Sequence, residues 1–362
     1  MGSELKSITG LGLSKPNTYP NMERITYEPA KLRSIDVDIK IVACGICGAD
    51  PHYARGDWGG PHLPIIPGHE IIGYIVNKGS DVSDDDFKIG DRVGVGAKAD
   101  CCGSCYRCAH SFENNCRNSV FTYGNFVPMP YRQGGYASHI RLNSKFVVKI
   151  PDNISSEHAA PLLCGGMTGL SPLLSTGVGK GTRVAICGIG GIGHLSIMFA
   201  KALGAHVTAV SSSEKKKQLA VDLGADHFIS QDDPEYAQKN VDAFDVIVHT
   251  GSFVTNKLIA EFLMMLRPNG NIQLIAGPDL EDKTLDLNVF NLIRNNAKIG
   301  GIASGSPKQI KDMFELASKN NITPLIETVQ INENNLKESL NRLDRGDVKF
   351  RFVLIGYEEY FK

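Results

Sequence analysis

Cys102, Cys105, Cys108 and Cys116 lie in CGSCYRCAHSFENNC with two, two and seven residues between successive thiols. That spacing lets one small lobe gather four thiolates around a tetrahedral zinc. An all-thiolate site has no open coordination position, so this zinc is expected to fold a lobe and catalyse nothing. A disulfide pair and an iron-sulfur cluster are the competing uses of the run. The amino terminus reads without a secretory segment, and a ferredoxin-type run has different spacing and a proline after its last cysteine. Cys101, adjacent but outside the spacing, reads as a spare thiol.

The chemistry must then come from elsewhere. PIIPGHEIIG puts His69 and Glu70 after a proline-glycine turn, ACGICGAD puts Cys47 near the end of a β-like run, and PLLCGG puts Cys164 at the entry to the second half of the chain. Singly, each has a plain structural use, as a small core thiol or a hydrogen-bonded imidazole. Together with a dinucleotide site they suggest a second zinc with mixed ligands, of the kind that keeps an exchangeable position for substrate. Cys44-x-x-Cys47 also spells a redox motif, but use of Cys47 as a ligand competes with it, and Cys44 reads as structural.

The dinucleotide site is expected in RVAICGIGGIGHLSIMFAKALGA, where a buried strand ends at Cys187 and runs into Gly188-x-Gly190-x-x-Gly193, with Gly191 and Ile192 inside the loop. The first glycine permits a tight turn, the second lets backbone approach a pyrophosphate, and the third lets helix and sheet pack closely. The glycine pattern alone is weak. The strand before it, the helical period after it and a second strand at the expected distance make it a Rossmann fingerprint. That second strand, HVTAVSSSEKKK, ends in Ser211, Ser212 and Ser213 where an NAD site carries Asp or Glu. Serine hydroxyls can donate to a 2′-phosphate and Lys216 or Lys217 can add positive charge, so the cofactor expected is NADP(H). The competing use is a helix cap followed by a solvated basic face.

Two kinds of sequence must position these residues. In a chain of 362 residues two cores are expected. Residues 1–155 are rich in short β-like runs such as VDIKIVACG, IIGYIVNKG and KFVVKIP, which predict an irregular β lobe carrying the zinc quartet. Residues 156–300 alternate strands with helices, which predicts a doubly wound parallel α/β sheet. Residues 301–362 end in KFRFVLIGY, a run resembling the first half more than the second. A formal net charge of -1 without a long basic stretch argues against nucleic acid and for a small-molecule substrate. No run reaches about 18 uninterrupted apolar residues, so no membrane segment is expected. Met1-Gly2-Ser3 opens like a myristoylation signal, but position 6 is Lys where Ser or Thr is required. Nine clustered cysteines fit metal binding in a reducing compartment, and the chain reads as cytoplasmic.

Through CGICGAD, PGHEIIG, IGDRVGVG, the cysteine quartet, QGGYASH, AAPLLCGG, GIGGIGH, SSSEKKK and KFRFVLIGY, the chain resembles the zinc-dependent medium-chain alcohol dehydrogenases. Within that superfamily it is most similar to the cinnamyl alcohol dehydrogenase branch, and there to NADP-dependent fungal enzymes of broad specificity. The resemblance implies a GroES-like catalytic domain beside the Rossmann domain, two zinc ions per chain, and a homodimer formed by sheet extension across two Rossmann halves. It implies a catalytic zinc on Cys47, His69 and Cys164, with Glu70 able to take the fourth position and Asp50 orienting His69. It places Thr168 against the nicotinamide and Arg351 at the pyrophosphate, and Trp58, Phe121 and Ile302 beside the substrate channel. Ordinary core packing is the competing use of those aromatic residues.

By the same resemblance the metal acts as Lewis acid and template while hydride passes between the substrate and the nicotinamide. A relay carries the alcohol proton to a histidine, His52. The hydroxyl that begins the relay is missing, because its position is Ala49. The function expected is an NADP(H)-dependent interconversion of primary alcohols and aldehydes, aromatic such as cinnamyl or aliphatic, favouring aldehyde reduction. The rivals are a polyol dehydrogenase, which generally prefers NAD; a specialised reductase of an activated double bond or iminium; and a binding protein that keeps the fold without turnover.

Overall fold

The computed structural model describes residues 5–59, 63–124, 133–251, 253–277, 284–302 and 304–362. The Met1-Gly2-Ser3 reading falls outside them. The chain forms two compact units, one of residues 1–164, 305–318 and 323–362, the other of residues 165–304 and 319–322.

The first unit is built on β1 (Ile8–Gly12), β2 (Glu23–Tyr27), β3 (Asp36–Ile46), β4 (Ile71–Lys78), β5 (Arg92–Val95), β6 (Lys98–Asp100), β7 (Val120–Phe121), β8 (His139–Asn143) and β9 (Val147–Lys149). The second contributes β10 (Arg183–Cys187), β11 (His206–Ser211), β12 (His227–Ser230), β13 (Phe244–His249), β14 (Leu266–Leu274) and β15 (Lys298–Gly301), after which β16 (Ile326–Gln330) and β17 (Arg351–Ile355) return to the first.

In the first unit the main sheet runs β16-β17-β3-β4-β5-β9, with β8 also on β3. All its pairings are antiparallel except β16 with β17. The long strand β3 (DVDIKIVACGI) is apolar or buried at nearly every position because strands cover both its edges and helix Ser156–Pro161 packs on it. Its side chains join Ile71, Val93, Tyr136 and Phe352 in one core. This core fixes the end of β3, from which Cys47 projects, and the start of β4, which follows directly on His69 and Glu70.

The second unit is a six-stranded parallel sheet in the order β12-β11-β10-β13-β14-β15. The order reverses between β10 and β13, which opens a crevice at their carboxyl ends, as in dinucleotide-binding folds. VAIC, VTAV and VIV are buried runs, as strands covered on both faces require. Among the described residues no helix is long and apolar enough to cross a membrane.

Candidate active site and metal centres

The cysteine quartet converges. Neighbouring sulfur pairs lie at 3.9 Å (Cys102 to Cys108), 3.6 Å (Cys105 to Cys108), 3.8 Å (Cys105 to Cys116) and 3.5 Å (Cys116 to Cys102). Thiolates about 2.3 Å from a zinc at tetrahedral angles stand about 3.8 Å apart, so the quartet is sized for that ion. Backbone N–H groups of Ser104 and Cys105 pull the Cys102 thiol down to about 6, which favours the ligating thiolate.

A second set forms in the first unit. The ligating atoms of Cys47, His69, Glu70 and Cys164 all lie within 4.8 Å of one another. Cys47 Sγ is 3.8 Å from Cys164 Sγ, and His69 Nε2 is 3.2 Å from the same sulfur. Cys164 lies in a π-helical turn, Leu162–Gly166, an irregularity frequent at functional sites. The donors fit a zinc of mixed ligation: two thiols, an imidazole with its Nε2 directed at them, and a carboxylate whose Oε2 is buried without a hydrogen-bond partner. The other oxygen of Glu70 accepts from Arg351. Burial pushes the Glu70 carboxyl up to about 8 despite that guanidinium. A hydrogen bond from Cys164, with His69 and Arg351 close by, holds the Cys47 thiol well below its ordinary value, while the same bond and burial raise Cys164.

Asp50 organises this set from behind. Its carboxylate is fully buried and accepts from the Cys47 N–H at 2.8 Å, the Gly68 N–H at 3.3 Å, His69 Nδ1 at 3.2 Å, Tyr136 at 2.7 Å and the Tyr123 hydroxyl. With Nδ1 donating to Asp50, His69 has its Nε2 lone pair free for a metal. The two tyrosines are absent from the sequence reading. Tyr136 lies in QGGYASH, which entered that reading as a mark of resemblance, without a role.

His52 and Ala49 share helix Ala49–Arg55. His52 Nδ1 is 2.9 Å from Asp57 Oδ2, an oxygen that also accepts from Arg55 Nε, and the imidazole stacks on Trp58 with centroids 4.7 Å apart. Asp57 is a further residue the sequence reading missed. Phe121, on β7, lies 6.3 Å from Tyr53 between ring centroids and carries the Lys98 ammonium over its face.

In the second unit the crevice at the switch point is a cleft of about 550 Å³ lined by Gly188, Gly190, Ser211, Ser212 and Lys216 together with Gln231, His249 and Thr250. Gly188 adopts φ +97°, a left-handed turn that glycine takes without strain, and a side chain at Gly193 would collide with the Gly188 carbonyl. Nothing fills the space beside Gly190. Ile192 precedes helix Gly193–Ala202 as its cap, with Gly191 before it in the loop. Ser211 is buried at the end of β11, its hydroxyl accepting from the Ser213 N–H. Lys216 Nζ donates to the Ile189 carbonyl at 2.9 Å, on the cleft, whereas Lys217 pairs with Glu214 and neither it nor Ser213 lines the cleft. The cleft's one carboxylate among the described residues, Glu261, is tied to the Tyr236 hydroxyl at 2.6 Å. Thr168 is buried in helix Met167–Ser175, and Ile302 follows β15, its N–H on the Leu274 carbonyl at 3.3 Å. Arg351 is buried at the start of β17 in the first unit, on Glu70.

Residues 33–152 match the family of alcohol dehydrogenase GroES-like domains, and residues 191–319 match the zinc-binding dehydrogenases. The NADP-dependent alcohol dehydrogenase 6 of Saccharomyces cerevisiae is 37% identical over 358 residues, 98% of either chain. Two solved structures cover 97% of this chain and 98% of their own at 31% identity: a cinnamyl alcohol dehydrogenase of Sorghum bicolor, with TM-score 0.88, and one of Helicobacter pylori complexed with NADP(H), with TM-score 0.86. The chain belongs to the zinc-dependent medium-chain alcohol dehydrogenases, a GroES-like domain joined to a Rossmann domain. Within them it is similar to the branch that contains the cinnamyl alcohol dehydrogenases.

Proposed function

We propose that this protein interconverts primary alcohols and aldehydes with NADP(H), favouring aldehyde reduction, as a cytoplasmic homodimer with two zinc ions per chain. The observation that carries the reading is the convergence of Cys47, His69, Glu70 and Cys164 within 4.8 Å, beside a separate quartet already sized for a structural ion.

Bound by Cys47, His69 and Cys164, the zinc supplies Lewis acidity toward the alcohol or carbonyl oxygen. The residues do the remainder. Glu70 offers a fourth donor and is held back by Arg351. Asp50 fixes the His69 ring. His52, held by Asp57, is the acceptor at the end of the proton path. Ala49 can neither donate nor accept, so a hydroxyl or water from outside the protein must complete that path. At the end of β11, Ser211 and Ser212 offer hydroxyls and Lys216 an ammonium where an NAD site carries a carboxylate, a set suited to a 2′-phosphate. The yeast relative carries NADP in its name, which agrees with that chemistry.

Support for the homodimer comes from β15, which closes one end of the parallel sheet with no further strand beside it among the described residues, and from Val289, Phe290 and Ile293, 61, 80 and 65% exposed on the preceding helix Val289–Asn295. All nine cysteines are unpaired, as in a reducing compartment.

Steady-state oxidation of NADPH and NADH against cinnamaldehyde, a branched aliphatic aldehyde and a ketone tests the reading. Rapid NADPH-linked reduction of the aldehydes is expected. Turnover confined to NADH and secondary alcohols would place the protein with the polyol dehydrogenases, and light scattering that gives a monomer would remove the dimer.

A further inference from the structure

We infer that Lys98 is a specificity-determining residue, and that the protein prefers aldehydes and alcohols whose aromatic body ends in a carboxylate. The inference deepens the proposed function and rests on it for the position of the reacting carbon.

A run of ring contacts leads from the metal set to Lys98. His69 stacks on Tyr123 with centroids 5.7 Å apart, Tyr123 meets Tyr53 edge-on at 5.5 Å, and Tyr53 meets Phe121 at 6.3 Å. The Lys98 ammonium stands 3.2 Å from the Phe121 ring centroid. Strand pairing builds in that last contact, since Lys98 and Phe121 are opposite one another on β6 and β7 and their side chains leave the ribbon on the same face. The run of ring contacts thus begins at a residue of the reactive metal set, passes through the buried Tyr123, and ends at a positive charge, with Tyr53, Phe121 and Lys98 partly exposed.

Among the described residues that charge lacks a counter-ion. Lys98 Nζ donates to Ser119 Oγ at 2.9 Å, and no carboxylate pairs with it among the described residues. Other lysines of this chain do find carboxylates, as Lys201 does with Asp226 and Lys308 with Asp312. Burial pulls the Lys98 ammonium down to about 8, with Cys116 opposing the shift. A half-buried cation served only by a ring face and a neutral hydroxyl is incompletely compensated. A ligand carboxylate would complete it with a charge-assisted hydrogen bond, and the partly exposed rings of Tyr53 and Phe121 suit a flat, conjugated body. The competing role is local: Lys98 could serve the thiolate charge of the zinc lobe through Cys116.

The test compares 4-formylcinnamate with its methyl ester, substrates of nearly one shape that differ in charge. The readout is the acid-to-ester ratio of kcat/KM for NADPH-linked reduction in the parent, Lys98→Met, Lys98→Glu and Lys98→Arg, with zinc content measured on each. The ratio is unaffected by a partly inactive preparation, which lowers both rates alike. The parent is expected to prefer the acid. Lys98→Met should lower the ratio about tenfold or more, Lys98→Glu should lower it further, and Lys98→Arg should restore it. A ratio equal in the parent and Lys98→Met overturns the inference while the proposed function stands on the ester. An unchanged ratio with zinc lost from Lys98→Met overturns it in favour of the lobe. If the parent reduces neither compound nor cinnamaldehyde, the proposed function fails and takes this inference with it.

Discussion

The Tyr136 hydroxyl donates to Asp50 Oδ2 at 2.7 Å although 86 positions separate the two residues. Both side chains are fully buried, and burial together with the carboxylate keeps the phenol protonated, far above its ordinary range. Tyr136→Phe keeps the ring and removes the donor. It should cost about 1–3 kcal/mol of stability, as loss of a buried partner does, and loosen the grip of Asp50 on His69. Losses of such outer partners weaken metal binding by about 10- to 100-fold, so zinc release to a chromogenic chelator should quicken from one of the two ions. Unchanged release kinetics would reduce the hydroxyl to a packing role.

The two metal sets should respond differently to loss of a thiol. Cys105→Ser is expected to release one zinc and lower soluble yield and unfolding temperature, because a structural zinc contributes directly to folding. Cys164→Ser should also lose one zinc, keep a folded far-UV spectrum, and abolish turnover. Metal analysis with thermal unfolding checks both. A fully active parent containing one zinc or none contradicts the assignment.

Selectivity for NADP(H) should reside in Ser211 and its neighbours. Ser211→Asp places a carboxylate at the mouth of the cleft, close to where a 2′-phosphate would sit, and like charges repel strongly at short range. The NADPH-to-NADH ratio of kcat/KM should fall about tenfold or more, with the largest change in the KM for NADPH. Equal use of both cofactors by the parent contradicts the claim before any substitution is made.

Ala49 should make alcohol oxidation depend on pH more than aldehyde reduction does, with oxidation rising as the solution becomes more basic. Ala49→Ser supplies a hydroxyl on the same helix as His52. General acid-base assistance is worth roughly a hundredfold or more when fully developed, and a water already in the gap leaves a smaller gain. A modest rise in oxidation at neutral pH and a flatter profile are expected. Profiles identical for the parent, Ala49→Ser and His52→Gln would mean that protons leave by another route, and would favour the reading as a specialised reductase.

Fold class and the cysteine quartet were legible because each depends on local pattern, whereas Cys47, His69, Glu70 and Cys164, whose two thiols are 117 positions apart, were legible as one set through the family resemblance. The alternation of buried strands and helices after residue 156 needs no long-range information, and the quartet closes within fifteen residues, Cys102 to Cys116. What stayed hidden is contact between distant segments. Asp57 is five positions from His52 but lies past Gly56, whose left-handed turn ends the helix, so no helical spacing announces it, and Tyr123 and Tyr136 reach Asp50 across 73 and 86 positions with no spacing rule either. Arg351 carried an expectation toward the pyrophosphate, and its partner in the structure is Glu70, 281 positions earlier. Lys98 was invisible for the same reason: nothing in GAKADCC indicates that the opposite strand position holds Phe121.

The placement of β17 bears on how the protein is made. This strand, residues 351–355, lies between β16 and β3 in the first sheet, so a segment made after the whole parallel sheet fills an interior place beside the first long strand. The parallel sheet, spanning residues 183–301, can close while synthesis continues, but the first unit must wait with the Cys44–Ile46 end of β3 open and Glu70 without its arginine. During that wait Cys47, His69 and Cys164 have all been translated, and an unprotected strand edge is available to other nascent chains. Ending synthesis at residue 350, before β17, would therefore leave the newborn protein waiting permanently, and insolubility on expression, more than lost turnover, should be its first symptom.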